Sequence, residues 1–282
     1  MQLITLSDVG KAGIEAYAKI AKLAGRQFLR SVRPIFGADE FERLYLIGSC
    51  ILVKVNGRPF LLTAAHVIDH HHNAPLFIGV GGKTHEIVGE YHATKAPDGD
   101  RNKDHYDFAF WHLPTNFSEQ LGNDRFIENW EISENRGTLD GRQFMAMGYP
   151  LSRNKNIPRQ GRHVTPRAWS YQGVHTENSQ LASHLGVSGD EHFFLKATKR
   201  AGDYSGHVTQ AIEPRGASGG ALVDLGMPTL ADLSPESTFR GRLAGIFIER
   251  HSKFQSMVFV RIEVALQAIR AKFPSDPQEV DN

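Results

Sequence analysis

The chain has 282 residues, enough to bury one large hydrophobic core or two small ones. Hydrophobic residues make up 40% and charged residues 22%, the balance of a globular protein, and a formal charge of +1 with no basic run offers no general attraction for nucleic acid or an anionic membrane. The one cysteine, Cys50, excludes an intramolecular disulfide. With no apolar stretch near the roughly 20 residues of a membrane span and no basic, apolar start, the expected location is cytoplasmic.

Taken in order, Ser7 to Arg30 is expected to be a helix. Ser7 caps its start, and Ile14, Tyr17, Ala21, Ala24 and Phe28 share one face at spacings of three and four, until Pro34 and Gly37 end the pattern. From Leu44 the period changes. Leu44 to Val55, the Asn56-Gly57 turn and Pro59 to Ala64 read as a hairpin, because Asn-Gly suits the positive φ angles of a two-residue turn. Leu76 to Val80, Gly81-Gly82 and Thr84 to Tyr91 repeat the arrangement. His92 to His105 is a polar loop, Asp107 to Leu113 a strand, and Phe117 to Gly141 a polar linker between two β units.

Strands are expected again at Gln143 to Gly148, Ala168 to His175, His192 to Ala197, Gly220 to Asp224, Leu243 to Glu249 and Met257 to Ile262. Glu263 to Phe273 closes the chain as a helix stopped by Pro274, leaving a loose acidic tail. Many short strands separated by turn signals predict an all-β architecture of barrel or sandwich type.

Three stretches carry chemistry. Arg215 to Gly220 reads Arg-Gly-Ala-Ser-Gly-Gly, a loop whose glycines let the backbone turn sharply around Ser218 and aim its N–H groups at a bound oxygen. A serine hydroxyl needs a base, and the base needs an anion to fix its tautomer. His66, within the stretch LLTAAHV, and Asp107, at the mouth of the strand YDFAFWHL, supply both, with Asp104 as the reserve acid. The run His70, His71, His72 has the spacing to His66 of a zinc-binding helix face, but the Glu that follows the first histidine of the catalytic zinc motif is replaced by Val67, so a solvated loop is expected. Cys50 lies in an apolar strand, where a buried inert thiol is expected. His163, His175 and His207 are left as candidate neighbours of the cleft.

The order His66, Asp107, Ser218 in these contexts resembles the chymotrypsin-like (trypsin-like) serine peptidases, and FMAMGYP from Phe144 to Pro150 resembles the strand that opens the second barrel in the bacterial Deg-type branch. The likeness runs from Leu44 to Phe273 in the order of elements. It implies two antiparallel six-stranded β-barrels with a C-terminal helix packed behind, to which the N-terminal helix expected from its periodicity is added. The corresponding divisions are residues 1–40 as a helical extension, 41–116 as the first barrel, 117–141 as a linker, 142–262 as the second barrel, 263–273 as the helix and 274–282 as a tail.

Carried over by motif, His66 is the general base, Asp107 its orienter and Ser218 the nucleophile, with the N–H groups of Gly216 and Ser218 as the oxyanion hole. No metal or cofactor is implied, and the substrate is a protein or peptide. Ala217 stands where classical secreted members carry an aspartate that captures a new N-terminus, so activation by that route is not expected, and there is no room after Phe273 for a peptide-binding domain. The resemblance puts Ile212 at the floor of the specificity pocket and Ile248, Glu249 and Arg250 along its wall, which suggests a small or medium apolar residue before the cut bond. The alternative is a catalytically silent or latent peptidase-fold binding module, regulated by a protein partner that grips the N-terminal helix.

Overall fold

The computed structural model describes residues 6–72, 74–122, 124–133, 139, 141–155, 164–202, 208–227 and 240–274. The acidic tail from residue 275, His163 and His207 lie outside the described residues. The first half contains α1 (Leu6–Phe28), β1 (Val32–Ala38), β2 (Leu44–Val55), β3 (Arg58–Ala64), a single helical turn α2 (Ala65–Ile68), β4 (Leu76–Val80), β5 (Lys83–Glu86), β6 (Glu90–Ala93) and β7 (Phe108–His112). The second half contains β8 (Gln143–Gly148), β9 (Trp169–Val174), α3 (Ser179–Leu185), β10 (His192–Lys196), β11 (Arg200–Gly202), β12 (Val208–Gln210), β13 (Ala221–Gly226), β14 (Arg242–His251), β15 (Ser256–Arg261) and α4 (Ile262–Lys272).

The first sheet has the order β5-β4-β1-β2-β3-β7-β6, antiparallel throughout. Its outer members are two halves of one bent strand. β5 pairs with β4 and β6 with β7, so the short connection between them closes the sheet into a barrel of six strands. The bend falls at Gly89, where φ is +122° and an added Cβ would stand 2.3 Å from the carbonyl oxygen of His112, so only glycine lets the two backbones approach. This is why the Thr84 to Tyr91 strand expected from the sequence divides in two.

The second sheet has the order β10-β15-β14-β13-β8-β9 and closes through a bridge between His175 and Leu195, with the Thr176 N–H donating to the Phe194 carbonyl at 2.9 Å. Three cores follow from strand alternation. One fills the first barrel around Leu52, Leu61 and Trp111; one fills the second around Phe144, Leu222 and Phe259. The third lies between them, where Ile51, Phe60 and Leu62 meet Met145, Val223 and Val258 together with both long helices. The C-terminal helix reaches back across this seam, setting the Phe273 ring 5.3 Å from that of Phe60. The molecule is mostly β, two antiparallel sheets with few helices, consistent with a chymotrypsin-like two-barrel fold. Among the described residues no helix is long and apolar enough to cross a membrane.

The structure departs from the sequence reading ahead of residue 41. Val32–Ala38 is a strand of the first barrel and not part of a helical extension; its residue Pro34 faces Ser49 of β2 in the ladder. The helix before it buries Ile20, Ala21, Ala24 and Phe28, with Gly241 lying beneath Ala24 and Phe28. A deletion of residues 1–40 therefore removes core and strand together, and does not isolate a regulatory helix.

The linker is stitched to both barrels. Ile127 bridges Val53 of β2, and Ile132 bridges Leu243 of β14. Between them the fully buried carboxylate of Glu131 accepts from Arg125, from Gln27 Nε2 at 2.9 Å and from the Glu128 N–H at 3.1 Å. Burial pushes the Glu131 carboxyl up, but these donors outweigh it and hold it below its ordinary value. A depressed carboxyl adds stability above its unfolded pKa that is lost as the pH falls through the folded one. Glu131→Ala is expected to cost about 3 kcal/mol in urea unfolding at neutral pH, the low end for a broken buried pair because 34% of the Arg125 side chain stays in water. The same deficit should shrink on acidification.

Candidate active site

β3 runs straight into the single turn α2, which carries His66 to the rim of the first barrel. Asp107 sits one residue before β7, the neighbour of β3, and three hydrogen bonds join the two strand ends. The Ala65 N–H donates to the Asp107 carbonyl at 2.9 Å, the His66 N–H donates to Asp107 Oδ1 at 2.9 Å, and His66 Nδ1 lies 2.6 Å from Asp107 Oδ2. With the carboxylate ionised, Nδ1 is the donor and the neutral imidazole keeps its lone pair on Nε2. Asp107 has φ +40°, the left-handed region that an L-residue occupies only when its surroundings impose it.

Burial is the largest influence on the His66 imidazole and pushes its pKa down; the hydrogen bond and charge of Asp107, with the charge of Asp69, outweigh it and leave the pKa raised. Burial pushes the Asp107 carboxyl up, against the pull of His66. Asp104, the reserve acid, bonds elsewhere. Its Oδ1 accepts from the N–H groups of Tyr106 at 3.2 Å and Asp107 at 3.0 Å, so it shapes the loop and leaves the imidazole to Asp107.

Ser218 lies on the turn ahead of β13. The Ala217 N–H donates to the Pro214 carbonyl at 2.7 Å and Gly216 has φ +90°, the signature of a type II turn with glycine in its third position. Neither the Gly216 N–H nor the Ser218 N–H has an acceptor among the described residues. The loop is docked on the first barrel: the Ser218 carbonyl accepts from the Ser49 N–H at 2.8 Å, while Ser49 Oγ accepts from the Tyr149 N–H at 2.9 Å. On its other side the Gly219 N–H donates to the Phe247 carbonyl at 2.7 Å. Ala217 is fully buried, its methyl group against Gly148, where an added Cβ would stand 2.9 Å away.

His66, Asp107, Gly216 and Ser218 line one cleft of about 950 Å³ between the barrels. Ile248, Glu249 and Arg250 of β14 line its far wall, next to a bulge in that strand. Ile212 does not reach the lining; it packs against the interior core of the second barrel. The wall carries polar side chains, with Arg250 Nη1 paired to Glu213 and Glu249 Oε1 2.8 Å from His251 Nε2. Sequence reading missed Ser49, although the polar Gly48-Ser49 step inside the apolar β2 was a visible signal. It also missed α3, whose residues His184 and Leu185 line the cleft.

Of the remaining candidates, His71 packs its ring 5.0 Å from Trp111, and burial pushes the Cys50 thiol up. No group of three metal-ligating side chains occurs among the described residues. His175 lies on the barrel-closing bridge, away from the cleft lining.

No family model matches the chain, and no curated protein sequence matches it. Solved structures do show likeness. One, from a study of the coupled folding and binding of the intrinsically disordered Sesbania mosaic virus VPg protein, has a TM-score of 0.46 at 14% identity, covering 89% of this chain and 92% of that one. A Glu endopeptidase solved in complex with MPD has a TM-score of 0.45 at 13% identity, covering 84% of this chain and 88% of its own. At that distance the chemistry of the cleft rests on its own residues.

Proposed function

We propose that the chain is a serine endopeptidase that cleaves protein or peptide substrates through an acyl-enzyme. The observation that carries this is the meeting of the Asp107–His66 pair and the open type II turn of Ser218 in one cleft. Ser218 Oγ attacks the scissile carbonyl carbon while His66 Nε2 takes its proton, and Asp107 steadies the imidazolium. The N–H groups of Gly216 and Ser218 hold the oxyanion. His66 then returns the proton to the leaving amine, and a water, activated by the same imidazole, releases the acyl group. The resemblance of residues 144–150 is what supports placing the reading nearest the Deg-type branch, and the single buried thiol supports a cytosolic location.

A second reading has one observation in its favour. The Ser218 hydroxyl has no hydrogen bond to His66 or to any other described residue. A latent or silent module would keep that gap, whereas in an enzyme it closes when substrate binds. A fluorophosphonate probe decides: labelling of the wild type that vanishes in Ser218→Ala fits the peptidase, and its absence fits the silent module.

Because the base must be neutral and its pKa is raised, kcat/KM is expected to climb with pH through an inflection above 6.5, the ordinary imidazole value. A profile flat down to pH 4 would contradict it.

A further inference from the structure

We infer that Arg101 is a positioning residue, which by bonding Asp69 and Asp104 at once locks the turn carrying His66 to the loop carrying Asp107. The inference rests on the peptidase reading of that pair. Asp69 follows His66 by three residues, and Asp104 precedes Asp107 by three, so one guanidinium spans the outer ends of both segments. Arg101 Nε donates to Asp69 Oδ2 at 2.8 Å and Nη2 donates to Asp69 Oδ1 at 2.9 Å, a two-pronged fork that only arginine makes. Its Nη1 donates to the Thr94 carbonyl at 2.7 Å and to Asp104 Oδ2. The other oxygen of Asp104 holds the Asp107 N–H, and through it the left-handed backbone that presents the carboxylate to His66.

The ends of the clamp differ in exposure. The Asp104 side chain is 4% exposed and that of Asp69 is 40%. The buried end therefore fixes the loop, while the outer end ties that loop to the histidine turn. The clamp is also electrostatic. Two carboxylates, Asp107 and Asp69, act on the imidazole, Asp104 acts on Asp107, and Arg101 is the cation set among them. Asp69 raises the pKa of His66 and Arg101 lowers it. His70 on the same turn and His105 on the Asp107 loop also face this part of the cleft. From the second barrel His184, Glu213 and Arg215, and on β14 Glu249, Arg250 and His251, line the opposite side.

The test is a pH profile of kcat and kcat/KM for Arg101→Gln, Arg101→Lys and Asp69→Asn, alongside the low-field proton resonance of His66 Nδ1–H. All three variants lose the fork, so kcat should fall in each by about 10- to 100-fold, as expected for a reacting group displaced by a fraction of an ångström to an ångström. The inflections should separate: upward in Arg101→Gln, near wild type in Arg101→Lys, which keeps the charge, and downward in Asp69→Asn. A merely structural arginine would lower the unfolding temperature without moving the inflection in opposite directions. Unchanged kcat with unchanged inflections, or an identical Nδ1–H resonance in Arg101→Gln and wild type, overturns the inference. If Arg101→Gln does not fold, Asp69→Asn, cut at the exposed end, decides alone. If the wild type neither labels nor cleaves, the peptidase reading falls, and the resonance, which needs no turnover, still judges the clamp.

Discussion

Ser218→Ala is expected to abolish peptide hydrolysis while leaving the fold intact, with kcat lower by about 10⁶, the scale measured for the nucleophile or base of subtilisin. The serine is only partly buried, and its hydroxyl has no hydrogen bond among the described residues, so its loss leaves neither a large cavity nor an unpaired donor. On the peptidase reading, what remains is the substrate cleft and a turn that still offers two N–H groups, worth roughly 10³–10⁴ over water. KM should therefore change far less than kcat. His66→Ala should cost as much as Ser218→Ala, and the double variant no more than either alone, because in the proposed mechanism the hydroxyl and the imidazole act in one proton transfer. Asp107→Asn should cost about 10⁴, by presenting an amide donor to Nδ1 and fixing the wrong tautomer. Steady-state hydrolysis of a quenched-fluorescent peptide mixture reads all four. Additive losses in the double variant would mean that the two side chains act independently, against the mechanism.

Gly219→Ala carries the largest expected effect on stability. Gly219 has φ +83°, and an added Cβ would stand 2.0 Å from the Ser49 carbonyl oxygen, 2.2 Å from Thr63 Oγ1 and 3.0 Å from the Ala64 N–H nitrogen. Two of these are backbone atoms of β2 and β3, and the third is a buried hydroxyl donating to the Ser49 carbonyl at 2.7 Å, so none can yield like the tip of a flexible side chain. Left-handed strain and forced overpacking together amount to about 2–5 kcal/mol, against a typical domain stability of 5–15. The urea midpoint should fall accordingly, or the variant should fail to accumulate folded. Gly57→Ala is the comparison. Its φ is +72° but nothing lies within 4 Å, so only the backbone term of about 1 kcal/mol applies. Equal losses at the two positions would mean that the serine turn is not seated on the first barrel as described.

The strands were legible wherever apolar alternation met an unambiguous turn, as at Asn56-Gly57. β1 was not, because Pro34 and Gly37 look like breakers in one dimension. In the barrel Pro34 sits in the ladder opposite Ser49, and a Cβ on Gly37 would collide with the Tyr45 ring. The short α3 was hidden for a related reason: seven residues are too few for a helical period to show, and its Asn178 cap and Gly186 stop are ordinary loop residues until seen together.

The candidate site's three residues, His66, Asp107 and Ser218, which line one cleft, stood out because each is at the edge of a recognisable strand. The residues that hold them did not. Asp69, Arg101 and Asp104 are charged residues in polar stretches, and nothing in one dimension says that the first and second share a fork. Ile212 lies outside the cleft lining, a partly buried apolar residue packed against the second barrel's core, while Arg250, expected on the wall, lines the cleft and pairs with Glu213.

The most direct measurement is intact-protein and peptide mass spectrometry after treatment with a fluorophosphonate at several pH values. The geometry predicts one adduct per chain, on Ser218, forming faster as the pH rises past the His66 transition and absent from His66→Ala. No adduct at any pH, or an adduct on a serine outside the cleft, would contradict the account.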